Sequence, residues 1–362
     1  MKQPQNSQYT FFKLFTPLLP SPHPQLLTMG GLLSTLTILL QLTIIHCNVI
    51  TKVGRIYLPD DIGPGGAESI AIDTDHSLIF SANGANITID VTSFDASEDN
   101  LEDGDVPMDF VQSIDIQSAM DEFFDGVTIG DITSVTYTSE RGDDGYVLAA
   151  LVPTDVAESV GYVAFVDPEE QEIVNILQLT DCFLPDHVTT TSDGDHIIIA
   201  CEGEPNDNEA EFPEFNPPGS VAIVDEDDTV YNANFETYDE GGNKDLPDGI
   251  YLPYSDQPFS INVEPEYSVV DDDDEYAYIT LQENNAIAVL DIDKKKIIRL
   301  YALGTIDYSE TGLDASDKDD TINIETYSNL YGLRMPDAID FVEIDGTEYV
   351  LTANEGVLSV EY

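Results

Sequence analysis

The sequence repeats one pattern, in which a short apolar run, a turn rich in Asp and Gly, and a second β-rich run follow one another. The clearest copy is LPDHVTTTSDGDHIIIACEGEPN, residues 184–206. Related copies begin at Ala67, Ile132, Pro265 and Pro336. Alternating apolar residues on both sides of an Asp/Gly turn are typical of a β-hairpin. The repeat therefore restricts the chain to an architecture built from several similar hairpins.

Most copies continue into a third apolar strand, as in VGYVAFVDP, PGSVAIVDE and AIAVLDIDKKK, and some add a fourth run, as in IVNILQL. Four-stranded units at intervals of about 55 to 80 residues are typical of β-propeller blades that carry insertions. We therefore predict an all-β fold, a β-propeller, over residues 47–362. The last hairpin reaches Tyr362 without its outer strands, so we expect the propeller to be truncated at its C-terminal end.

The N-terminal segment differs from the rest of the chain, since no acidic residue precedes Asp60. Residues 32–45, LLSTLTILLQLTII, form an apolar run that is shorter than the ~20 residues of a membrane-spanning helix. A run of this length suits the core of a secretion signal. We predict that residues 1–46 are an N-terminal extension and signal peptide, with Met1 or Met29 as the start, and that the protein is exported.

If the protein is exported, a glycosylation sequon and a pair of cysteines become relevant. Asn86 begins an Asn-Ile-Thr sequon, which we predict to be glycosylated. Cys182 and Cys201 flank one hairpin and remain as a pair once the signal peptide is removed. They can form a disulfide, or they can pack as two small buried apolar side chains.

The charge of the chain narrows the function. It has 71 acidic and 12 basic residues, a formal net charge of -59. Such a surface repels phosphate backbones and attracts cations, so we exclude nucleic-acid partners. The sequence contains no nucleophile elbow, no Walker loop and no zinc-binding helix motif, and its four Arg form no cluster that could clamp a phosphate ester. These absences favour a non-enzymatic protein.

The position of the acids within the repeat separates two groups. Acids in the hairpin turns satisfy local backbone geometry. The other group comes just before an inner strand or just after a second strand, which are points on the same face of a propeller. Its members are Glu68, Asp186, Glu202, Glu204, Glu264, Glu266, Glu283, Asp337 and Glu355. Converging carboxylates suit Ca²⁺, so this face is a candidate calcium site; the alternative is a water-filled acidic funnel.

Two further stretches are weaker candidates. The segment GLDASDKDD, residues 312–320, could form an irregular calcium loop through Asp314, Asp317, Asp319 and Asp320, although it does not fit the EF-hand pattern. Arg141, Gly142 and Asp143 form an integrin-type tripeptide at a predicted hairpin tip, which is a candidate for cell adhesion.

From Gly66 onward the motifs resemble the choice-of-anchor I domain family, which includes mesenchyme-specific cell-surface glycoproteins of skeleton-forming animal cells. The resemblance lies in GGAESIAID, LPDHVTTTSDGDHIIIACEGEPN, PPGSVAIVD, AYITLQENNAIAVLDI, GLDASDKDD, INIETYSNLYGLRMPDAI and YVLTANEG. It implies a secreted or surface-tethered propeller, seven-bladed when complete, that is linked to calcified skeletons and to a lipid-linked C-terminal anchor. Cys201 departs from the family pattern, which has Asn at that place.

These observations lead to one hypothesis and two alternatives. We predict an extracellular, acidic, calcium-binding propeller glycoprotein that is involved in biomineralisation at the cell surface. Its expected partners are Ca²⁺ or a calcium mineral surface, with extracellular matrix proteins as a further option and the membrane only through an unseen C-terminal anchor. The alternatives are a Ca²⁺-dependent propeller phosphoesterase and a cell-adhesion scaffold.

Overall fold

The computed structural model describes residues 12–13, 69–97, 100, 106–142, 144–204, 217–254, 257–316, 318 and 321–355. Regular structure in these residues is almost entirely β. The predicted signal peptide core at residues 32–45 lies outside the described residues. Within the described residues, no helix is long and apolar enough to span a membrane.

Four antiparallel sheets of four strands each follow one another along the described chain, and we number them as blades 1 to 4. The strands are numbered from β1 (Phe12–Lys13), which belongs to a later sheet. Blade 1 contains β2 (Ile70–Asp73), β3 (Leu78–Asn83), β4 (Thr88–Phe94) and β5 (Met108–Asp115); blade 2 contains β6 (Ile129–Thr138), β7 (Tyr146–Pro153), β8 (Val160–Asp167) and β9 (Glu172–Phe183); blade 3 contains β10 (Pro185–Thr190), β11 (Ile197–Cys201), β12 (Ser220–Val224) and β13 (Val230–Asn234); blade 4 contains β14 (Pro265–Val270), β15 (Tyr276–Leu281), β16 (Ala286–Asp291) and β17 (Lys296–Ala302).

Blade 5 is a hairpin of β22 (Pro336–Ile344) and β23 (Thr347–Asn354), with β1 paired to the outer edge of β23. Two residues of the predicted N-terminal extension thus take part in this sheet. Between blades 4 and 5 the chain forms two small ribbons, which pair β18 (Thr305–Asp307) with β21 (Tyr331–Leu333) and β19 (Leu313–Asp314) with β20 (Ile324–Glu325).

The helices are short and lie in connections. Helix α1 (Ile116–Phe123) joins blades 1 and 2, and the Oδ1 atom of its N-cap residue Asp115 accepts a hydrogen bond from the Ser118 N–H at 2.9 Å. A 3₁₀ helix (Glu236–Tyr238) and helix α2 (Phe259–Asn262) lie between blades 3 and 4.

The hairpin turns show why the sequence folds in this way. In blade 5, Ile344 pairs with Thr347 across a two-residue loop of Asp345 and Gly346. Both loop residues have positive φ, at 54° and 73°. An Asp-Gly pair suits the type I′ turn, whose twist matches that of the strands it joins. The Asp/Gly turns that mark the repeat therefore have a local geometric role.

The core consists of apolar layers between successive blades. Phe80 and Ile132 lie in the layer between blades 1 and 2. Further layers separate blade 2 from blade 3, blade 3 from blade 4, and blade 4 from blade 5. Successive sheets thus pack face to face through apolar layers.

The innermost strands of the five blades, β2, β6, β10, β14 and β22, contact each other in sequence. Residues from all five line a central cavity of about 1050 Å³. Sheets that pack face to face around a central channel form a β-propeller. The predicted fold is confirmed; the total of seven blades stays a prediction.

Candidate cation site at the channel mouth

Blade 3 shows how the fold brings two predicted carboxylates together. The Glu202 N–H, just after β11, donates to the Leu184 carbonyl at 2.9 Å, just before β10. Leu184 has a φ of 47°, an uncommon value for a bulky residue, and Pro185 follows it. This turn places Asp186 beside Glu202, whose leading charged neighbour is the Asp186 carboxylate.

Blade 5 repeats the arrangement. The Glu355 N–H donates to the Met335 carbonyl at 3.1 Å, and Met335 also has positive φ, at 51°, before a proline. Asp337 follows as the second residue of β22, and its leading charged neighbour is Glu355. A shared backbone link therefore produces one acid pair in blade 3 and one in blade 5.

Blade 4 supplies the third pair, Glu266 and Glu283, whose side chains form a hydrogen bond to each other. Gln282 connects this pair to blade 5, because its Nε2 lies 3.3 Å from Glu355 Oε2. In the alternative amide orientation, the same group donates to both carboxylate oxygens of Glu266, at 2.8 and 2.6 Å. The Oε2 atom of Glu283 is buried and has no hydrogen-bond partner among the described residues.

Other carboxylates surround the three pairs. Glu264 is only 4% exposed, and Glu204 is exposed at the surface. The charge of Asp131, in β6 of blade 2, also raises the pKa of Asp186. Asp131 was not among the candidates predicted from the sequence. Its place just before the strand copy at Ile132 was the available signal. We call the following residues the acid mouth: Asp131, Asp186, Glu202, Glu204, Glu264, Glu266, Glu283, Asp337 and Glu355.

Burial and mutual repulsion raise the pKa of several carboxyl groups of the acid mouth. Burial, followed by the charges of Asp337 and Asp131, raises the pKa of Asp186 to about 7. Burial, followed by the charges of Glu283 and Glu204, raises the pKa of Glu264 to about 9. The same causes raise the pKa of Glu202 well above its usual range. A proton or another cation must therefore accompany many of these groups at neutral pH.

The described positions of the acid mouth do not form a ready-made metal site. Among the described residues, no three His, Cys, Asp or Glu side chains are placed so that they could hold a metal ion as they stand. The donor set nonetheless fits a hard cation, since it consists of carboxylate and amide oxygens. The unpartnered Glu283 Oε2 is one donor atom that such a cation would satisfy.

The remaining calcium candidates lie elsewhere or are not described. Glu68, Asp317, Asp319 and Asp320 lie outside the described residues. Asp314, in the β19–β20 ribbon, accepts backbone hydrogen bonds from Ser316 at 3.5 Å and from Asn323 at 3.3 Å. These bonds stabilise the ribbon locally.

The structure places Arg141 of the candidate adhesion tripeptide, residues 141–143, in a buried position. Arg141 is 6% exposed, and its guanidinium donates to the carbonyls of Gly194, Asp195 and Asp225 and pairs with Asp228 at 3.0 Å. These bonds hold blade 2 to blade 3. An arginine that is buried in this way is not available to a receptor, which argues against adhesion through residues 141–143; Asp143 itself lies outside the described residues.

The two features that we connected with export have clear places in the fold. Cys182 and Cys201 are joined in a disulfide, with their Cα atoms 5.2 Å apart. Asn86 is exposed in the turn between β3 and β4. Because this turn follows the second strand of its blade, it lies at the same end of the propeller as the acid mouth.

Comparison with known proteins identifies related sequences. A family model described as the choice-of-anchor I domain matches residues 68–362. The mesenchyme-specific cell surface glycoprotein of Strongylocentrotus purpuratus is 41% identical over 99 residues, which are 27% of this chain and 13% of that protein. The match therefore spans much less than two thirds of the length of the relative.

Solved structures offer distant likenesses of fold. A functionally unknown protein from Desulfotomaculum acetoxidans matches with a TM-score of 0.43 and 13% identity, over 84% of this chain and 74% of that chain. The Pan2 WD40 domain of Neurospora crassa matches with a TM-score of 0.38 and 12% identity, over 82% and 65%.

Proposed function

The chain belongs to the choice-of-anchor I domain family, and on this premise we propose that it is an extracellular, non-enzymatic protein that binds Ca²⁺ at its acid mouth and takes part in mineral deposition at the cell surface. A cell-surface location is supported by the family and by the name of the sea-urchin relative. The role in mineral deposition is the part that rests most on the resemblance.

Glu283 carries the calcium part of the proposal. Its side chain is 8% exposed, and its Oε2 atom lacks a hydrogen-bond donor among the described residues. A buried carboxylate oxygen without a partner is costly, since it has lost water and gained nothing in return. Its charged neighbours are further carboxylates, Glu204 and Asp337. A divalent cation at this position would neutralise several of these groups at once.

The residues that would hold the ion are the carboxylates of Glu266, Glu283, Glu204 and Asp337, with the Gln282 amide as a neutral oxygen donor. Asp186 and Glu202 would be further ligands, because the charges of this cluster act on both of them. Ca²⁺ accepts six to eight oxygen ligands in a flexible geometry, which suits side chains from several blades. Mg²⁺ requires a stricter octahedron and retains its waters, so we expect it to bind more weakly. The bound ion would hold adjacent blades together and reduce the repulsion among the carboxylates.

Isothermal titration of the folded protein with CaCl₂ at pH 8 tests the calcium part. We expect saturable binding that persists when NaCl is added to the same ionic strength, and at least a tenfold loss of affinity in Glu283→Gln. Asp272→Asn is the matched control, because Asp272 is exposed in the β14–β15 turn at the opposite end of the blade. Binding that disappears at matched ionic strength would contradict the proposal.

A second experiment tests the mineral part separately. We expect the wild-type protein to change the onset of calcium carbonate precipitation more than Glu283→Gln does at equal concentration. If both proteins change the onset of precipitation equally, the effect would come from net charge alone and not from the proposed site. Hydrolysis of a generic phosphomonoester that requires Ca²⁺ would contradict the non-enzymatic assignment and favour the phosphoesterase alternative.

A further inference from the structure

The Cys182–Cys201 disulfide joins two neighbouring blades beside the acid mouth. Cys182 is the penultimate residue of β9, the outer strand of blade 2, and Cys201 ends β11 in blade 3. Both side chains are fully buried in the apolar layer between these blades. The bond therefore links the chain just before inner strand β10 to the residue that directly precedes Glu202.

The segment around Cys182 has a backbone that requires support. Asp181 and Leu184 have φ values of 49° and 47°, and such conformations persist only where the surroundings hold them in place. Asn232 Nδ2 donates to the carbonyl of Asp181 at 2.9 Å, and the Ser220 hydroxyl donates to the same carbonyl at 2.9 Å. Cys182 lies between these two residues in the chain, so its disulfide to Cys201 adds a covalent restraint on the strained segment.

The other blades fix the same region by different means. The residue that ends the second strand is Asn83 in blade 1 and Asn354 in blade 5, where blade 3 has Cys201. In blade 5 the strained Met335 is held by a hydrogen bond from its N–H to Asn285 Oδ1 at 3.2 Å. Blade 3 has a covalent bond in this region, and it is the only disulfide among the described residues.

We propose that the Cys182–Cys201 disulfide is a positioning element of the acid mouth, which fixes the turn at Leu184 and thereby holds Asp186 beside Glu202 for cation binding. This inference rests on the calcium binding proposed above. The disulfide does not contact the ion. It acts through the Leu184 carbonyl, to which the Glu202 N–H is bonded, and so determines where the two carboxylates lie.

The test compares Ca²⁺ affinity in two variants that each remove a bond between blades 2 and 3. Cys182→Ala/Cys201→Ala removes the bond beside the mouth, and Arg141→Met removes the guanidinium contacts at the opposite end. Calorimetric titration with CaCl₂ is performed well below the melting temperature of each variant, after near-UV circular dichroism has shown that it is folded. If the double Ala variant does not fold, Cys182→Val/Cys201→Ala, which refills part of the lost volume, takes its place.

We expect the cysteine variant to lose at least tenfold in Ca²⁺ affinity, while Arg141→Met changes affinity less than twofold even if its stability falls as far. Wild-type affinity in the folded cysteine variant would overturn this inference and leave the proposed function intact. Equal losses in both variants would also overturn it, since they would indicate a general loosening of the blades. Absence of binding in the wild-type protein would refute the proposed function itself.

Discussion

Replacing Glu264 by Gln should stabilise the protein at neutral pH when no divalent cation is present. Glu264 is 4% exposed, and burial together with the charges of Glu283 and Glu204 raises its pKa to about 9. The unfolded chain has no such environment, so its Glu264 ionises with the ordinary pKa of 4.5. Folding at pH 7 must therefore either bind a proton at Glu264 or bury its charge among other carboxylates.

The expected size of the effect follows from these two pKa values. Each pH unit between 4.5 and 7 costs ~1.4 kcal/mol of folding free energy, which amounts to about 3 kcal/mol at pH 7. Relaxation of the neighbouring groups lowers this figure, so we expect Glu264→Gln to gain about 1–3 kcal/mol. Because the pKa of Glu264 is raised in the folded state, the contribution of this group to the free energy of unfolding is most favourable below pH 4.5. That contribution is lost as the pH rises towards 9. The neutral Gln does not take part in this loss.

Urea denaturation in the presence of EDTA at several pH values between 4 and 8 measures the effect. The two proteins should have similar free energies of unfolding near pH 4, and the advantage of Glu264→Gln should grow with pH. Asp272→Asn, at an exposed turn, should stay within about 0.5 kcal/mol of the wild type throughout. A Glu264→Gln protein that is less stable than the wild type at pH 8 would refute the reasoning, because Glu264 would then be an ionised group held by hydrogen bonds.

Three further changes test other parts of the structure. Arg141→Met should cost about 1–3 kcal/mol in urea denaturation, because it removes a buried guanidinium that donates to three carbonyls and pairs with Asp228, and it should leave cell attachment unchanged. Gly219→Ala should destabilise by about 1–3 kcal/mol, since the new Cβ would lie 2.0 Å from the Val263 carbonyl oxygen; an unchanged melting temperature would contradict this close contact. Asn86→Gln should abolish a mass shift produced by glycosidase treatment of the secreted protein, and a persisting shift would place the glycan elsewhere.

The fold could be predicted from the sequence because its determinants are local. Alternation of apolar residues sets each strand, and Asp-Gly pairs such as Asp345–Gly346 set the turns. The placement of Asp186 and Glu202 on one face also followed from counting strands. Once the repeat is recognised, the topology of a blade leaves little choice about which loops share a face.

Other features depend on contacts between blades, which the sequence does not display. Arg141 looked like the exposed tip of a hairpin, but its partners are 53 to 87 residues further along the chain. Asp131 was missed because the repeat copy at Ile132 is degenerate and lacks the proline that marks the copies of blades 3, 4 and 5. The positive φ of Leu184 and Met335 could not be read from residues that ordinarily avoid that conformation.

The acid mouth raises the question of why protons alone would not suffice to neutralise it. A proton shared between two carboxyls, as in the hydrogen bond between Glu266 and Glu283, satisfies one oxygen on each. Glu283 Oε2 is buried without a hydrogen-bond partner among the described residues, and the Asp186 carboxyl, whose pKa is raised to about 7 mainly by burial, is half ionised at neutral pH. A divalent cation neutralises two charges and accepts several oxygens at once, so it removes both costs. On the calcium binding proposed above, we therefore expect the three acid pairs to bind one divalent cation in preference to several protons at neutral pH.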